Sequence, residues 1–148
     1  MTSIDILEDF KDNPIPLRLA CLSTTRWPIV ISLWYTYIDK RIYCATQRNA
    51  KIVQYISKSP KCGFEIAGDG FPYYGVRGYG ETKIKDDMGR DILLQLIRKY
   101  LRDKKLAKLA KLLQSEKHLE NEIAIEILPT KVFNIDYRER MKDLTYIS

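Results

Sequence analysis

Three apolar runs follow one another between Leu17 and Thr46, and only Thr25-Arg26-Trp27 and Asp39-Lys40 separate them. The runs, Leu17 to Thr24, Pro28 to Tyr37 and Arg41 to Thr46, carry the β-branched and aromatic content of strands. A parallel pair needs a crossover of a dozen or more residues, so connections this short point to antiparallel hairpins and meanders. In the second run, period-two alternation puts Ile29, Ile31, Leu33, Tyr35 and Tyr37 on one side, the expected core face. Val30, Ser32, Trp34 and Thr36 fall on the other, a mixed face suited to a partner, water or a flat ligand that also needs hydrogen bonds.

The rest of the chain fills in around this meander. Thr2 and Asp5 resemble a capping box, and Ile4, Leu7 and Phe10 predict a short amphipathic helix ending near Asn13-Pro14. Ile52, Val53 and Ile56 predict a helix over Ala50 to Ser57, stopped by Ser59-Pro60. Cys62, Phe64 and Ile66 mark a strand, Gly68-Asp69-Gly70 with Pro72 a turn, and Tyr73 to Ile84 a long strand. In that long strand Gly75, Gly78 and Gly80 signal bulges or close approach. From Asp86 to about Leu113 the period becomes helical, with one stripe from Ile92 to Leu101 and a second of Leu106, Leu109, Ala110 and Leu113, bent at Arg102-Asp103-Lys104. Ile123, Ile125 and Ile127 alternate before Pro129, and Val132 to Ile135 adds a last strand. The order α-βββ-α-ββ-αα-ββ predicts a mainly β (α+β) antiparallel barrel with peripheral helices, one domain over residues 1–148.

Composition narrows the function classes. A chain of 148 residues, 45% hydrophobic and 30% charged, buries a core without staples, and no stretch approaches the ~20 apolar residues of a membrane span. Met1 to Asp12 resembles neither a secretory signal nor a transit peptide, so a soluble cytoplasmic protein is expected. Cys21, Cys44 and Cys62 sit among apolar neighbours with no C-x-x-C and only His118 besides, which predicts buried thiols and no metal. The net charge of +6 is diluted by 19 acidic residues spread along the chain, and the basic helix "RKYLRDKKLAKLAKLL" reads as a surface helix packed on the barrel, so neither nucleic acid nor membrane is an expected partner. His118 reads as a solvated loop residue with no partner carboxylate or cysteine at recognisable spacing.

The stretch with most chemistry is "CATQRNAKIV", residues 44 to 53. A strand-to-helix turn offers backbone N–H groups and a positive helix end to an anion, and Thr46, Arg48, Asn49 and Lys51 add a hydroxyl, an amide and two cations. The competing reading is that Thr46 and Asn49 cap the helix while Arg48 and Lys51 are solvated. Neither a Walker-type loop nor a dinucleotide fingerprint is present, since "GVRGYG" lies inside a strand.

Residues 17 to 84 resemble the pyridoxamine 5′-phosphate oxidase-related, FMN-binding split-barrel family. The features that carry the resemblance are a first strand ending in "LST", a proline opening the second strand, the "x-A-T-x-x-x-x-K" turn into a proline-ended helix, and a later "V-x-G" strand. "EIAIEILPTKVFNID" is similar to the family's usual ending. The resemblance implies a homodimer of antiparallel split β-barrels with FMN at the subunit interface. By position, Ile31, Ser32, Leu33 and Trp34 would line the isoalloxazine, while Ala45, Thr46 and Lys51 would hold the ribityl phosphate, helped by Arg48 and Asn49. Tyr73, and on the same strand face Arg77, would come from the second subunit. Thr36 and Ile31 stand where the oxidases carry basic residues, the phosphate turn has one lysine where they often have an Arg-Lys pair, and the tail "YRERMKDLTYIS" lacks histidine. These departures argue against vitamin B6 oxidation. The expected function is a flavoprotein, an oxidoreductase moving two electrons through FMN to an unidentified acceptor, with no residue marked as catalytic. The alternatives are a reductase of the same fold using the deazaflavin F420, or a flavin-binding dimer without turnover.

Overall fold

The computed structural model describes residues 3–138, so Thr2 of the capping pair and the tail from residue 139 lie outside the described residues. The side chains of residues 3–6, Asp5 among them, are likewise outside it. The elements are α1 (Ser3–Phe10), β1 (Leu17–Leu22), β2 (Pro28–Leu33), β3 (Thr36–Ile38), β4 (Arg41–Gln47), α2 (Lys51–Lys58), β5 (Lys61–Ala67), β6 (Tyr74–Lys85), α3 (Gly89–Tyr100), α4 (Ala107–Leu113), α5 (Glu116–Glu120) and β7 (Glu122–Asp136).

All seven strands form one antiparallel sheet in the order β2-β1-β5-β6-β7-β4-β3. The two edge strands, β2 and β3, are consecutive in the chain, with only Trp34 and Tyr35 between them. The sheet must therefore curl until its edges meet, and the chain itself, rather than a hydrogen-bond ladder, joins them. The result is a barrel with a split. The expected strand over Pro28 to Tyr37 is corrected accordingly: its alternation holds throughout, with Tyr35 and Tyr37 buried and Ile29, Ile31 and Leu33 packed on the same core, but its pairing partner changes at Trp34.

Alternation fills the barrel with Leu17, Leu19, Cys44, Phe64, Ile66, Val76, Ile123, Ile125 and Ile127. The helix α1 closes one end through Leu7 and Phe10, and α2 packs Ile52 and Ile56 on the same core from its place against β1 and β6. The helix α3 lies outside, where Ile92 and Leu96 cover Tyr43 and Ala124. Asp39 and Lys40 form the two-residue β3–β4 turn, both with positive φ (49° and 63°), the backbone of a type I′ hairpin.

The last two expected strands are one, β7. Pro129 does not interrupt it because β4 pairs only with Glu122 to Ile127, leaving Pro129 with an unpaired edge where its missing N–H is not needed. The residue opposite Pro129 is Gly80, at a register shift in the β6–β7 ladder, and a Cβ on Gly80 would stand 2.2 Å from the Leu128 carbonyl oxygen. The close approach anticipated from the glycines is thus real. The second helical stripe is corrected: Ala110 and Leu113 pack on the α3–α5 cluster, whereas Leu106, Leu109 and Leu112 are exposed. The three cysteines are free and buried. Among the described residues no group of side chains is placed to hold a metal ion, and no helix is long and apolar enough to cross a membrane.

Candidate functional site

The split opens at Trp34. The β3–β4 ladder pairs Ile38 with Arg41, Tyr37 with Ile42 and Thr36 with Tyr43. Continued, the same register would set Trp34 opposite Ala45 and Leu33 opposite Thr46, but β2 turns away and pairs Leu33 with Leu17. Residues 31–34 and 45–48 are therefore the two lips of the split. They are the two segments that the sequence singled out.

Each lip offers a different chemistry. On β2, Ser32 faces outward and accepts a hydrogen bond from Arg18, while Ile31 and Leu33 point inward against the core. Because β2 pairs only with β1, its other edge presents backbone N–H and C=O groups to the split. Trp34 stacks on Tyr100 of α3, centroids 5.0 Å apart and 9° from parallel, so one ring face is covered. The break at Tyr35 would orphan its buried backbone, and α3 supplies both partners: Tyr35 N–H donates to the Tyr100 hydroxyl (3.1 Å) and the Lys99 ammonium donates to the Tyr35 carbonyl (2.6 Å).

On the other lip, Thr46 is half-buried in the β4–β7 ladder and Ala45 packs beneath α3. The turn is pinned by Arg48 N–H donating to the Asn121 carbonyl (2.7 Å) and Ala50 N–H donating to that of Gln47 (3.0 Å). The N-cap of α2 is Ala50, which has no side-chain cap, so the reading of Thr46 and Asn49 as helix caps fails. The first turn of α2 also lacks any acidic residue. The Lys51 and Ile52 N–H groups stand ahead of the first bond of the helix, Val53 N–H to the Ala50 carbonyl (3.1 Å), with exposed Lys51 and Asn49 at the turn. Arg48 is ion-paired with Asp86, both exposed. This donor set, without a competing carboxylate in the helix's first turn, fits a phosphate group.

Sequence reasoning missed the support behind this turn. Gln47 donates to the buried Glu122 carboxylate and to the His118 carbonyl (3.3 Å), and His118 Nε2 lies 3.3 Å from Glu122 Oε1. Burial pushes the Glu122 carboxyl above the ordinary range, opposed by the Gln47 bond and by His118. The expectation for His118 is corrected: it is half-buried in α5 with a carboxylate partner, and the i,i+4 spacing of His118 and Glu122 was the available signal.

Tyr73 and Arg77 lie elsewhere on the outer face, around a cavity of about 310 Å³ shared with Arg18, Glu65 and Tyr137. Arg77 donates to the Tyr137 hydroxyl (3.4 Å). Ser32, Arg18, Glu65 and Arg77 form one cross-strand row, which sets Ser32 and Arg77 three strands, or roughly 14 Å, apart at ~4.8 Å per strand. Within one chain they do not meet.

Comparison with known proteins rests on structure, because no family model and no curated protein matches the chain. A conserved hypothetical protein of Mycobacterium tuberculosis superposes with a TM-score of 0.75 at 17% identity, covering 95% of this chain and 88% of that one. A putative pyridoxamine 5′-phosphate oxidase from Listeria innocua superposes at 0.62 with 11% identity, covering 89% and 94%. The chain has the pyridoxamine 5′-phosphate oxidase-like split-barrel fold. An F420 reductase superposes with a TM-score of 0.65 at 18% identity, covering 85% of this chain and 94% of its own.

Proposed function

We propose that the chain binds a flavin-type cofactor in the split as a homodimer and moves two electrons between a small molecule and an unidentified acceptor. One observation carries this reading: the free backbone edge of residues 31–33 and the half-covered Trp34 face an uncapped strand-to-helix turn carrying Lys51. FMN is the cofactor assigned, its phosphate at the turn of Thr46, Arg48, Asn49 and Lys51 and its ring system along the β2 lip. When bound, a flavin supplies the hydride-accepting chemistry. The chain's own part is positional: Lys51 and the α2 N–H groups neutralise the phosphate, Arg48 exchanges Asp86 for it, and β2 backbone groups fix the ring plane.

The dimer in this reading rests on what one chain leaves open. Val30 (69% exposed), Tyr79 (48%) and Phe133 (41%) stand on the uncovered outer face of the sheet, beside a largely apolar cavity of about 630 Å³ that Tyr79, Ala20 and Gly63 line. A second chain on this face would bring its own Tyr73 and Arg77 toward the split. The deazaflavin F420 is the second reading, favoured by the exposed cations Arg48, Lys51 and Lys58 on one lip and its helix, which suit a longer acidic ligand, and by the likeness to an F420 reductase.

Titrating FMN into the wild-type protein and Lys51→Ala, followed by quenching of flavin fluorescence, tests the assignment. The expected loss in the variant is ~1.5–3 kcal/mol, the worth of a charge-assisted hydrogen bond. Equal affinities would remove the phosphate from this turn.

A further inference from the structure

The segment from Arg102 to Leu113 does not turn all its leucines inward as a packed surface helix should. It opens with one 3₁₀ turn (Lys104–Leu106), capped by the Asp103 carboxylate, which accepts from Lys105 N–H (2.9 Å), and runs on into α4. Ala110 and Leu113 pack on the cluster of Leu93, Ile97 and Leu119, which anchors α4 to α3 and α5. Leu106, Leu109 and Leu112 instead recur every third residue, and at about 3.6 residues per turn such a row drifts off the packed face. They are 36%, 41% and 65% exposed in that order, so the row is barest at the end of α4. The ground for reading this helix as packed on the barrel, and so for setting a lipid surface aside, fails at these leucines.

The charge beside the row is one-sided. Lys104, Lys105, Lys108 and Lys111 are exposed, and none of their ammonium groups has an ion-pair or hydrogen-bond partner among the described residues. Asp103 is the only carboxylate between Arg102 and Leu113, and it is engaged as the cap. Along α4 lies a largely apolar cavity of about 690 Å³, lined by Leu101, Ala107 and Ala110 together with Arg102, Lys104 and Lys111.

Exposed leucines beside unpaired lysines need a partner that is apolar and anionic at once. Nucleic acid would use the lysines, but it presents a phosphate backbone, not an apolar layer, to the aliphatic row. A second copy brought onto the same patch about a two-fold axis would set lysines against lysines. We propose that α4 and the turn before it dock the protein peripherally on a membrane surface rich in anionic lipid. The leucine row enters the boundary between headgroups and acyl chains, while the lysine stems lie along it and their ammonium groups stay among the lipid phosphates. The protein lies on the bilayer by this face and does not cross it by a helix, since no described helix is long and apolar enough. The docking surface is separate from the split and does not depend on the flavin assignment.

The test is flotation of the full chain with vesicles of phosphatidylglycerol and phosphatidylcholine in equal parts, with phosphatidylcholine vesicles as the control. The chain is expected to float with the anionic vesicles only, and to be released as salt is raised. Lys105→Gln combined with Lys108→Gln should weaken partitioning roughly tenfold. Lys83→Gln combined with Lys131→Gln removes the same charge from exposed strand positions and should leave partitioning unchanged. Leu109→Ser combined with Leu112→Ser keeps every charge and should also weaken partitioning roughly tenfold, with urea unfolding as the check that the fold is intact. Equal effects of the two lysine pairs would mean that net charge alone acts, and would overturn the proposal. So would a leucine variant that floats like the wild type, or a chain that floats with neither vesicle. A leucine variant that alters sedimentation but not flotation would give the face to a second copy, and duplex DNA binding without flotation would give the lysines to nucleic acid; either result overturns it as well.

Discussion

Tyr35 is the residue on which the split turns. Its ring is fully buried and its hydroxyl donates to the Phe10 carbonyl, while its backbone is held by two consecutive residues of α3. Tyr100 also donates to the Ile15 carbonyl (2.7 Å), so Tyr100→Phe removes the acceptor of the Tyr35 N–H and the donor to the carbonyl of half-buried Ile15. A loss of ~1–3 kcal/mol is expected in urea unfolding, the cost of leaving such a group unsatisfied. Lys99 gives a pH signature. Its folded value is lowered by burial to about 8 from the ordinary 10.5, so above pH 8 the unfolded chain binds more protons than the folded one and stability rises with pH. Between pH 7.5 and 9.5 the wild type should gain stability relative to Lys99→Met, which has no such ionisation; a falling or flat difference would contradict the assignment. None of these partnerships was legible from the residues alone. Lys99 and Tyr100 read as ordinary members of a helix, and their role exists only because the chain breaks its ladder 64 and 65 residues earlier.

Elements were legible where one physical pattern decided them. Period-two burial located the strands, and a helical stripe closed by Ser59-Pro60 located α2 to within a residue. What local pattern does not encode is the partner. The alternation of Pro28 to Tyr37 is continuous, so nothing in it marks Trp34 as the point where one ladder ends and another begins. Pro129 reads as a terminator in the sequence because its missing N–H matters only if that edge is paired, and the start of β4 at Arg41 decides otherwise. The glycines of β6 were the informative exception, since a missing side chain in a strand reports crowding directly. Gly80→Ala places a Cβ 2.2 Å from the Leu128 carbonyl oxygen and 2.9 Å from the Pro129 Cα, both backbone atoms that cannot rotate away. Chemical denaturation should show a loss of ~1–3 kcal/mol, the usual penalty of overpacking. Unchanged stability would mean that the bulge relaxes freely.

At the scale of the molecule, the candidate site was legible in part. The turn "CATQRNAKIV" announced its donors, and the fold brings residues 45–48 opposite residues 31–34. The bonds from Gln47 to His118 and Glu122 were not legible, because they join β4 to the end of α5 and the start of β7 across 71 and 75 residues. The outer sheet face belongs to the same scale. Tyr79→Lys puts a charge on an apolar surface and, under the proposed dimer, should shift sedimentation toward the monomer and weaken flavin binding together; a dimer that survives the change would place the interface elsewhere. The central claim, that the split holds a flavin-type cofactor, is tested most directly by the visible absorption spectrum of the purified protein before and after added FMN, with acid release and mass analysis of the chromophore. A yellow protein that releases FMN, or takes it up stoichiometrically through Lys51, is the predicted result. A colourless protein that binds neither FMN nor F420 would contradict it.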